Sequence, residues 1–282
     1  MQLQLTQTIT MKKKLPLSIC LLVVFITITV THKCYGQHAI PQVEYKLVWQ
    51  DDFKGTEIDT THWSIIKRGP SAWQKYMSSN KTLFRMRKGY LRLYARRNKN
   101  LEPNDTAPYL TGGIFSRDKT TFGFGKIEIR ARINGATGCW PAIWISANDP
   151  TAWASKRRAE IDVMEYVNHD DHVTQTLHTY FTDELKKSKS PQSQVFPKVD
   201  VKRWNTYGVE ILPDRVKLTV NGECQLEYPR IKTDDEGQFP FGVESFLLID
   251  MQVGNKYLKN IIESEYPAWM DVDWVRVYEV AE

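Results

Sequence analysis

The chain has 282 residues, 41% of them hydrophobic, which suits one large globular domain. Its formal net charge is +5, but Lys12, Lys13, Lys14 and Lys33 lie in a segment that we expect to be removed, which leaves about +1. A nearly neutral mature chain argues against a nucleic-acid partner, because such proteins usually present a strongly basic surface.

The first 36 residues have the pattern of a secretory signal peptide, with Met11 as an alternative start. Lys12 to Lys14 form the charged region and residues 15–30 the apolar stretch, followed by small residues before the expected cleavage. A transmembrane anchor is the alternative, but the apolar run is slightly short and contains a proline. We therefore expect an exported protein, periplasmic or secreted, whose mature domain covers residues 37–282 and does not span a membrane.

Two of the four cysteines, Cys20 and Cys34, lie in this leader, and Cys139 and Cys224 remain. In an oxidising compartment the remaining two either pair or stay as buried thiols, and their spacing does not decide between these alternatives. No cysteine or histidine spacing indicates a zinc site.

From residue 45 onward, short apolar-rich runs alternate with turn residues, which predicts an all-β fold. The run Lys126–Ile133 alternates apolar and polar side chains, as a strand with one buried face does. Asn221-Gly222 lies between two such runs and predicts a hairpin. No stretch of 12 or more residues shows helical periodicity, and segments 98–108 and 183–200 predict surface loops. The length favours two packed antiparallel sheets over a small barrel.

The most informative segment is Ala159–Val167, which carries three acidic residues. In a strand, Glu160 and Asp162 share one face. Strict alternation would then turn Glu165 into the core, where an unpaired carboxylate is costly. One extra residue in the strand, a β-bulge around Val163-Met164, would return Glu165 to the face of the other two acids.

This arrangement suits glycoside hydrolysis. Because the bulge leaves four effective strand steps of about 3.3 Å, the α-carbons of Glu160 and Glu165 would lie roughly 13 Å apart, and their carboxyl groups about 5–6 Å apart. That separation favours a retaining mechanism, in which one carboxylate attacks the sugar and the other transfers a proton. The alternatives to a catalytic role for these acids are a solvated acidic strand and a calcium site.

The segments around this strand resemble the family 16 glycoside hydrolases, in their laminarinase-like branch. The resemblance covers about residues 45–279. Besides the carboxylate strand, it rests on segments 47–55, 123–128, 140–144, 175–178 and 273–278.

The resemblance implies a two-sheet antiparallel jelly-roll sandwich, concanavalin-like, with a substrate cleft on a concave sheet. It implies that Glu160 is the nucleophile, that Glu165 is the acid/base and that Asp162 assists Glu160. No cofactor is required. Many relatives hold a structural calcium ion near the closing strand, and Asp273 matches that position.

Other residues are candidates for contact with sugar. Indole rings stack well on the apolar faces of sugars, and hydrogen-bonding side chains read hydroxyl groups. The substrate-binding candidates are Trp140, Trp144, Trp153, His178, Gln175 and Gln252, with Trp73 as a weaker one.

We expect a monomer that acts on a polysaccharide. The first hypothesis is an endo-β-glucanase for β-1,3- or mixed β-1,3/1,4-glucan. The second is an endo-β-galactosidase for agar-like or host-type glycans, motivated by the cations Lys156–Arg158 at the predicted cleft edge. The third is a carbohydrate-binding protein without catalysis.

Overall fold

Sixteen β-strands form almost all of the regular structure in residues 43–254 and 260–281, the part of the chain that the computed structural model describes. The strands are β1 (Tyr45–Asp51), β2 (Ser64–Ile65), β3 (Phe84–Met86), β4 (Leu91–Arg97), β5 (Tyr109–Thr111), β6 (Gly113–Phe115), β7 (Gly125–Asn134), β8 (Cys139–Ala147), β9 (Ala159–Glu165), β10 (Thr174–Thr179), β11 (Gln194–Val195), β12 (Asn205–Ile211), β13 (Arg215–Val220), β14 (Glu223–Pro229), β15 (Ser245–Val253) and β16 (Ala268–Val280). The predicted leader, residues 1–36, lies outside the described residues.

The helical content of the described residues is small. One α-helix, α1 (Tyr180–Asp183), follows β10 directly. Single 3₁₀ turns occur at Ala72–Gln74, Lys81–Leu83 and Glu263–Glu265. Within the described part of the chain, no helix is long and apolar enough to cross a membrane.

The strands form two antiparallel sheets. The nine-stranded sheet has the order β14-β13-β12-β7-β16-β4-β3, with β1 beside β16 and β5 beside β4. The seven-stranded sheet has the order β11-β10-β9-β8-β15-β6-β2. Apolar side chains from both sheets form one continuous core, which confirms the predicted two-sheet sandwich.

Local sequence patterns explain how several strands form. Buried and half-buried residues alternate along the whole of β7, as the apolar/polar alternation of the sequence predicted. The hairpin between β13 and β14 turns at Asn221 and Gly222, whose φ angles are 52° and 81°. A type I′ turn needs positive φ at both positions, so this Asn-Gly pair determines the turn.

Strand β15 differs because all nine of its residues are buried. One face packs in the core between the sheets. The other face is covered by Ile66 and Met77, which form a second apolar cluster with Trp144, Phe246 and other residues. Segment 66–77 therefore folds over part of the outer face of the seven-stranded sheet, the face turned away from the core.

The predicted loop at residues 98–108 contains no strand or helix. The second predicted loop, residues 183–200, is also mostly irregular, but it holds the end of α1 and the short edge strand β11. Cys139 is a buried free thiol on the seven-stranded sheet, whereas Cys224 is exposed on the nine-stranded sheet, so these two residues do not pair with each other.

Candidate active site

Strand β9 contains the β-bulge that the acidic motif predicted. Its neighbour β8 pairs Ser146 with Glu160 and Trp144 with Asp162, but Ala142 already pairs with Glu165. The register therefore shifts by one residue between Asp162 and Glu165. Val163 and Met164 are both fully buried in the core, and the bulge returns Glu165 to the face that carries Glu160 and Asp162.

Strand β10 supplies a histidine to the same face. His178 pairs in register with Glu160. The imidazole Nε2 lies 3.1 Å from Oδ2 of Asp162, and Nδ1 lies 3.1 Å from Oδ1 of Asp183. Ligand-type atoms of Glu160, Asp162 and His178 lie within 4.8 Å of one another, so the histidine is part of the acidic cluster.

Two carboxylates hold His178 in its charged form. Burial lowers the pKa of the imidazole, but hydrogen bonds to Asp162 and Asp183 outweigh this effect and raise the pKa to about 11. The imidazolium is therefore a fixed positive charge at neutral pH. It favours ionisation of the carboxyl groups beside it.

The two glutamates of β9 have raised pKa values. Burial and the nearby Asp162 raise the pKa of Glu160 to about 8, while His178 and Arg158 oppose the rise. The same two causes raise the pKa of Glu165 well above its usual value, with His178 and the Trp140 indole in opposition. The acids titrate as a group, and such a cluster retains a proton at neutral pH that a general acid can donate.

Arg158 links the cluster to the loop before β9. This guanidinium is buried, and its Nη1 donates to Asp183 at 3.1 Å and its Nη2 to Glu184 at 3.0 Å. Its Nε donates to the backbone oxygen of Trp153 at 2.9 Å, and its guanidinium carbon lies 4.4 Å from the centre of the indole ring. The position of Trp153 is therefore coupled to the same carboxylate that holds His178.

The role of Asp183 was not predicted from the sequence, because residue 183 fell in a predicted loop. The local signal was Thr179 and Thr182, whose side chains form a capping box at the start of α1. This cap starts the short helix that brings Asp183 back toward His178, five residues earlier. A Thr-x-x-Thr pattern at the end of a strand is a weak signal in sequence alone.

The cations Lys156, Arg157 and Arg158 do not form a free basic patch. Lys156 pairs with Glu236, and Arg157 pairs with Asp149 at 2.7 Å. Arg158 is occupied by Asp183 and Glu184 as described above. The hypothesis that this run contacts acidic sugars is therefore corrected, because each cation has an acidic partner within the chain.

Trp144 and Trp73 lie together on the outer face of the seven-stranded sheet. Their rings meet edge to face with centroids 5.0 Å apart. The indole Nε1 of Trp144 donates to Oδ2 of the fully buried Asp250 at 2.8 Å. Asp250 was not anticipated, and burial raises its pKa to about 7.

Three of the other predicted sugar contacts are also on this side. Trp140 and Gln252 pair in register on β8 and β15, next to the strand that carries Glu165. The buried Oε1 of Gln252 has no hydrogen-bond partner in the described structure. Trp153 is about half exposed and lines a small cavity at the start of β9.

Gln175 does not fit its predicted contact with substrate. Its side chain is fully buried inside the sandwich, where Nε2 donates to the backbone oxygen of Val163 at 2.8 Å. The reason is strand parity: Gln175 and His178 are three residues apart on β10, so they lie on opposite faces. Only His178 is on the face of the acids.

Asp273 does not fit a calcium ion held by acidic side chains. Its carboxylate forms an ion pair with Arg130, which repels a cation. Within residues 43–254 and 260–281, the only group of three His, Cys, Asp or Glu side chains close enough to share a metal is Glu160, Asp162 and His178. Two of these residues, Asp162 and His178, already pair with each other at 3.1 Å.

The fold and the site define a class: two-sheet antiparallel β-sandwich proteins that present a pair of glutamates, separated by a bulge, on one sheet. The family model "Glycosyl hydrolases family 16" matches residues 71–274. The chain therefore belongs to glycoside hydrolase family 16.

Two curated relatives match most of the chain. It is 31% identical over 251 residues to "Keratan-sulfate endo-1,4-beta-galactosidase" of Sphingobacterium multivorum, covering 88% of this chain and 58% of the relative. It is 27% identical over 263 residues to "Glucan endo-1,3-beta-glucosidase A1" of Niallia circulans, covering 83% of this chain and 38% of the relative. The chain thus spans little more than half of the first relative and less than half of the second.

A solved structure confirms the architecture. The laminarinase from Rhodothermus marinus superposes with a TM-score of 0.74 and 26% identity, covering 86% of this chain and 100% of the laminarinase chain. The fold is therefore the jelly-roll sandwich that the sequence predicted.

Proposed function

We propose that the protein is a retaining, endo-acting hydrolase of a β-linked polysaccharide. The observation that carries this proposal is the bulge at Val163-Met164. It places Glu165 beside Glu160 and Asp162 on the outer face of the sheet. Two carboxyl groups on one face, one ionised and one protonated, are the requirement for double displacement.

The roles follow from the surroundings of each acid. Two cations, His178 and Arg158, favour the ionised form of Glu160, which suits the nucleophile. For Glu165, His178 is the one cation that favours the ionised form. The other group that opposes the rise in its pKa is the uncharged Trp140 indole. Glu165 is therefore the group that holds the proton.

In the first step, Glu160 attacks the anomeric carbon while Glu165 donates its proton to the departing glycosidic oxygen. A covalent glycosyl–enzyme ester forms and the C–O bond to the leaving sugar breaks. In the second step, Glu165 takes a proton from water, and that water displaces Glu160 from the sugar. Two inversions give net retention of configuration.

Asp162 and His178 position the nucleophile. The imidazolium, 3.1 Å from Asp162, offsets part of the negative charge between the two glutamates. Without this cation, Asp162 would raise the pKa of Glu160 further and leave more of the nucleophile protonated.

Two substrate classes follow from the comparisons. Glucans with β-1,3 or mixed β-1,3/1,4 linkages are the first, supported by the laminarinase structure and the Niallia circulans relative. Galactose-containing glycans of agar or keratan type are the second, supported by the Sphingobacterium multivorum relative. The names of these relatives also support endo-action.

The test is a digest panel of laminarin, lichenan, agarose and keratan sulfate, with products separated by size. Internal cleavage of at least one glycan is expected, with the new reducing end released in the β-configuration by NMR. Glu160→Gln is the matched control and should abolish release. Binding without hydrolysis by the wild type would instead support the non-catalytic alternative.

We also propose that the protein is exported. The support is the sequence pattern of residues 1–36, a basic region followed by an apolar stretch and small residues. Expression of the full chain in a bacterial host, followed by fractionation and N-terminal sequencing, should give a mature protein that starts at Gln37. An uncleaved protein in the membrane fraction would favour the anchor.

A further inference from the structure

We infer that the pocket next to Glu160 accepts a sugar unit that carries an anionic group, a sulfate ester or a uronate carboxylate. This inference rests on the proposed glycan hydrolysis and narrows its substrate. We call the site the basic pocket and define it by Lys67, Arg68, Arg117, Trp73, Trp144 and Phe246.

The basic pocket has the size of a ligand site. Its volume is about 440 Å³, within the range of roughly 300–1,000 Å³ that is usual for small-molecule pockets. It lies on the outer face of the seven-stranded sheet, over β8, β15, β6 and β2. Segment 66–77, which folds over this face, forms one of its walls.

The basic pocket lies beside the acids. Ser146 lines it and pairs in register with Glu160 on the adjacent strand. Trp144 also lines it and pairs with Asp162. A glycan with one unit in this pocket therefore places a neighbouring unit over the nucleophile.

The floor of the basic pocket is aromatic. The rings of Trp73 and Trp144 meet edge to face, and those of Phe115 and Phe246 do the same at 6.3 Å. Aromatic side chains suit the apolar faces of a sugar ring. This property alone does not distinguish a neutral sugar from a charged one.

The charged residues of the basic pocket distinguish a neutral sugar from an anionic one. Among the residues that the structure describes, three cations and no acidic residue line the basic pocket. Asp105 occupies Arg68 through two hydrogen bonds of 2.9 and 2.6 Å. In the part of the chain that the structure describes, neither Lys67 nor Arg117 forms an ion pair, in contrast to Lys156, Arg157 and Arg158 nearby.

Arg117 is held against an aromatic ring. Its guanidinium carbon lies 4.3 Å from the centre of the Phe246 ring. This cation–π contact holds the guanidinium at the ring, and its N–H groups can still donate to an anion. Arg117 also lines the small cavity below Trp153, whose one acidic residue, Asp149, is paired with Arg157. Within residues 43–254 and 260–281, the N–H groups of Arg117 therefore have no acidic partner on either side.

An anionic substituent on a sugar interacts with the cations of the basic pocket more strongly than a neutral sugar does. Sulfate and carboxylate oxygens accept charge-assisted hydrogen bonds from Arg117 and Lys67, which are roughly twice as strong as neutral ones. A hydroxyl group accepts weaker bonds and leaves both charges uncompensated. The pocket therefore selects by charge at a distance of about one sugar unit from the bond that is cleaved.

The test compares matched substrates that differ only in charge. Keratan sulfate is compared with its chemically desulfated form, and laminarin with laminarin oxidised at C6 to carry carboxylates. Wild type, Arg117→Ala and Lys67→Ala are assayed, with Lys232→Ala, an exposed cation outside the pocket, as the control. The readout is the ratio of kcat/KM for the charged form over the neutral form.

We expect a ratio well above one for the wild type and for Lys232→Ala in one of the two pairs. The pair that shows it identifies sulfate or carboxylate as the recognised group. Arg117→Ala should lower this ratio by roughly tenfold, because an exposed charge-assisted hydrogen bond is worth about 1.5 kcal/mol. The loss should appear in KM and diminish at high salt.

Equal rates on both members of each pair, or the same ratio in Arg117→Ala as in the wild type, would overturn the inference while glycan hydrolysis itself stands. If no glycan is cleaved, the proposed function fails separately. Binding of the charged and neutral oligosaccharides to Glu160→Gln, measured by calorimetry, then still tests the pocket. A preference for the charged ligand that Arg117→Ala removes would support the pocket, and equal binding of both ligands would refute it.

Discussion

Gln175 donates a hydrogen bond from Nε2 to the backbone oxygen of Val163, at 2.8 Å, behind the catalytic face of the sheet. Its neighbours on β10 pair with Asp162 and Glu165, so Gln175 lies opposite the two residues of the bulge. The same Nε2 lies 3.3 Å from the backbone oxygen of Thr219 on the other sheet. A single amide thus satisfies a carbonyl at the bulge and joins the two sheets where Glu165 is aimed outward.

Replacement of Gln175 by Leu should impair acid catalysis more than nucleophilic attack. Leucine fills a similar volume but leaves the Val163 carbonyl without its donor, so the bulge and the Glu165 side chain lose their fixed position. We expect kcat to fall roughly 10–100-fold on the natural glycan, within the range that general acid catalysis contributes. The fall on a dinitrophenyl glycoside should be much smaller, because that leaving group departs without a proton.

The comparison of the two substrates separates positioning from general damage. Thermal unfolding of Gln175→Leu shows whether the fold is retained, and Gln175→Met provides a second variant of similar volume. Equal losses on the natural and the activated substrate would show that Gln175 has only a structural role.

The assignment of Glu165 as the acid/base predicts chemical rescue. Glu165→Ala should lower kcat on the polysaccharide by about 10²–10⁴-fold, since no group protonates the leaving oxygen. On a substrate with a good leaving group, azide should occupy the space of the lost carboxylate and restore turnover. NMR of the product should show a β-glycosyl azide, with retained configuration, and an inverted product would show that Glu165 is not the acid/base.

Asp183 should control the charge of His178. Asp183→Asn removes one of the two carboxylates that raise the pKa of the imidazole, so this pKa should fall from about 11 toward its ordinary value. Titration of the His178 ring by NMR measures the shift directly. Asp214→Asn is a suitable control, since Asp214 pairs with Arg215 at the turn between β12 and β13 of the other sheet. An unchanged pKa of His178 would show that Asp162 alone maintains the charge.

Asp250 should make the protein less stable as the pH rises. Its pKa is about 7 in the folded protein and 3.8 when unperturbed, so the folded state binds more protons than the unfolded state between these values. Stability from this group is complete below about pH 4 and is lost as the pH rises through 7. Asp250→Asn keeps an acceptor for Trp144 and cannot ionise. Relative to the wild type, its free energy of unfolding should increase from pH 4 to pH 8, by up to about 4 kcal/mol.

Urea unfolding at several pH values measures this difference. Asp214→Asn, which changes an exposed carboxylate in the turn between β12 and β13, is the matched control. A constant difference between Asp250→Asn and the wild type across this range would mean that Asp250 remains ionised when buried.

The sequence predicted the strand pattern and the acids because both depend on local rules. Alternation along β9 conflicts with the cost of burying Glu165, and a bulge is the local solution. The same parity rule separates Gln175 from His178, but the family resemblance brought both to the cleft, and Gln175 was placed wrongly. Asp183 depends on a short helix whose Thr-x-x-Thr cap is a weak signal in sequence alone.

The ion pairs formed by residues 156–158 could not be predicted from local sequence rules either. Lys156 pairs with Glu236, which is distant in sequence, and Arg157 pairs with Asp149, which lies in another turn. Both ion pairs are therefore evident only in the folded structure. Conversely, Lys67 and Arg117 have no motif, and they stand out only because their neighbours in space are aromatic and uncharged.

The contacts of Arg158 divide the segment before β9 into two parts with different tolerance to exchange. Residues 149–157 form the variable rim, whereas Arg158 anchors that rim to Asp183 and to the backbone of Trp153. A loop graft that alters residues 149–157 but ends on Arg158, and keeps the length of Ala159–Glu165, changes the rim and leaves the reacting groups in place. Arg158 is therefore the position at which an exchanged loop can be joined to β9.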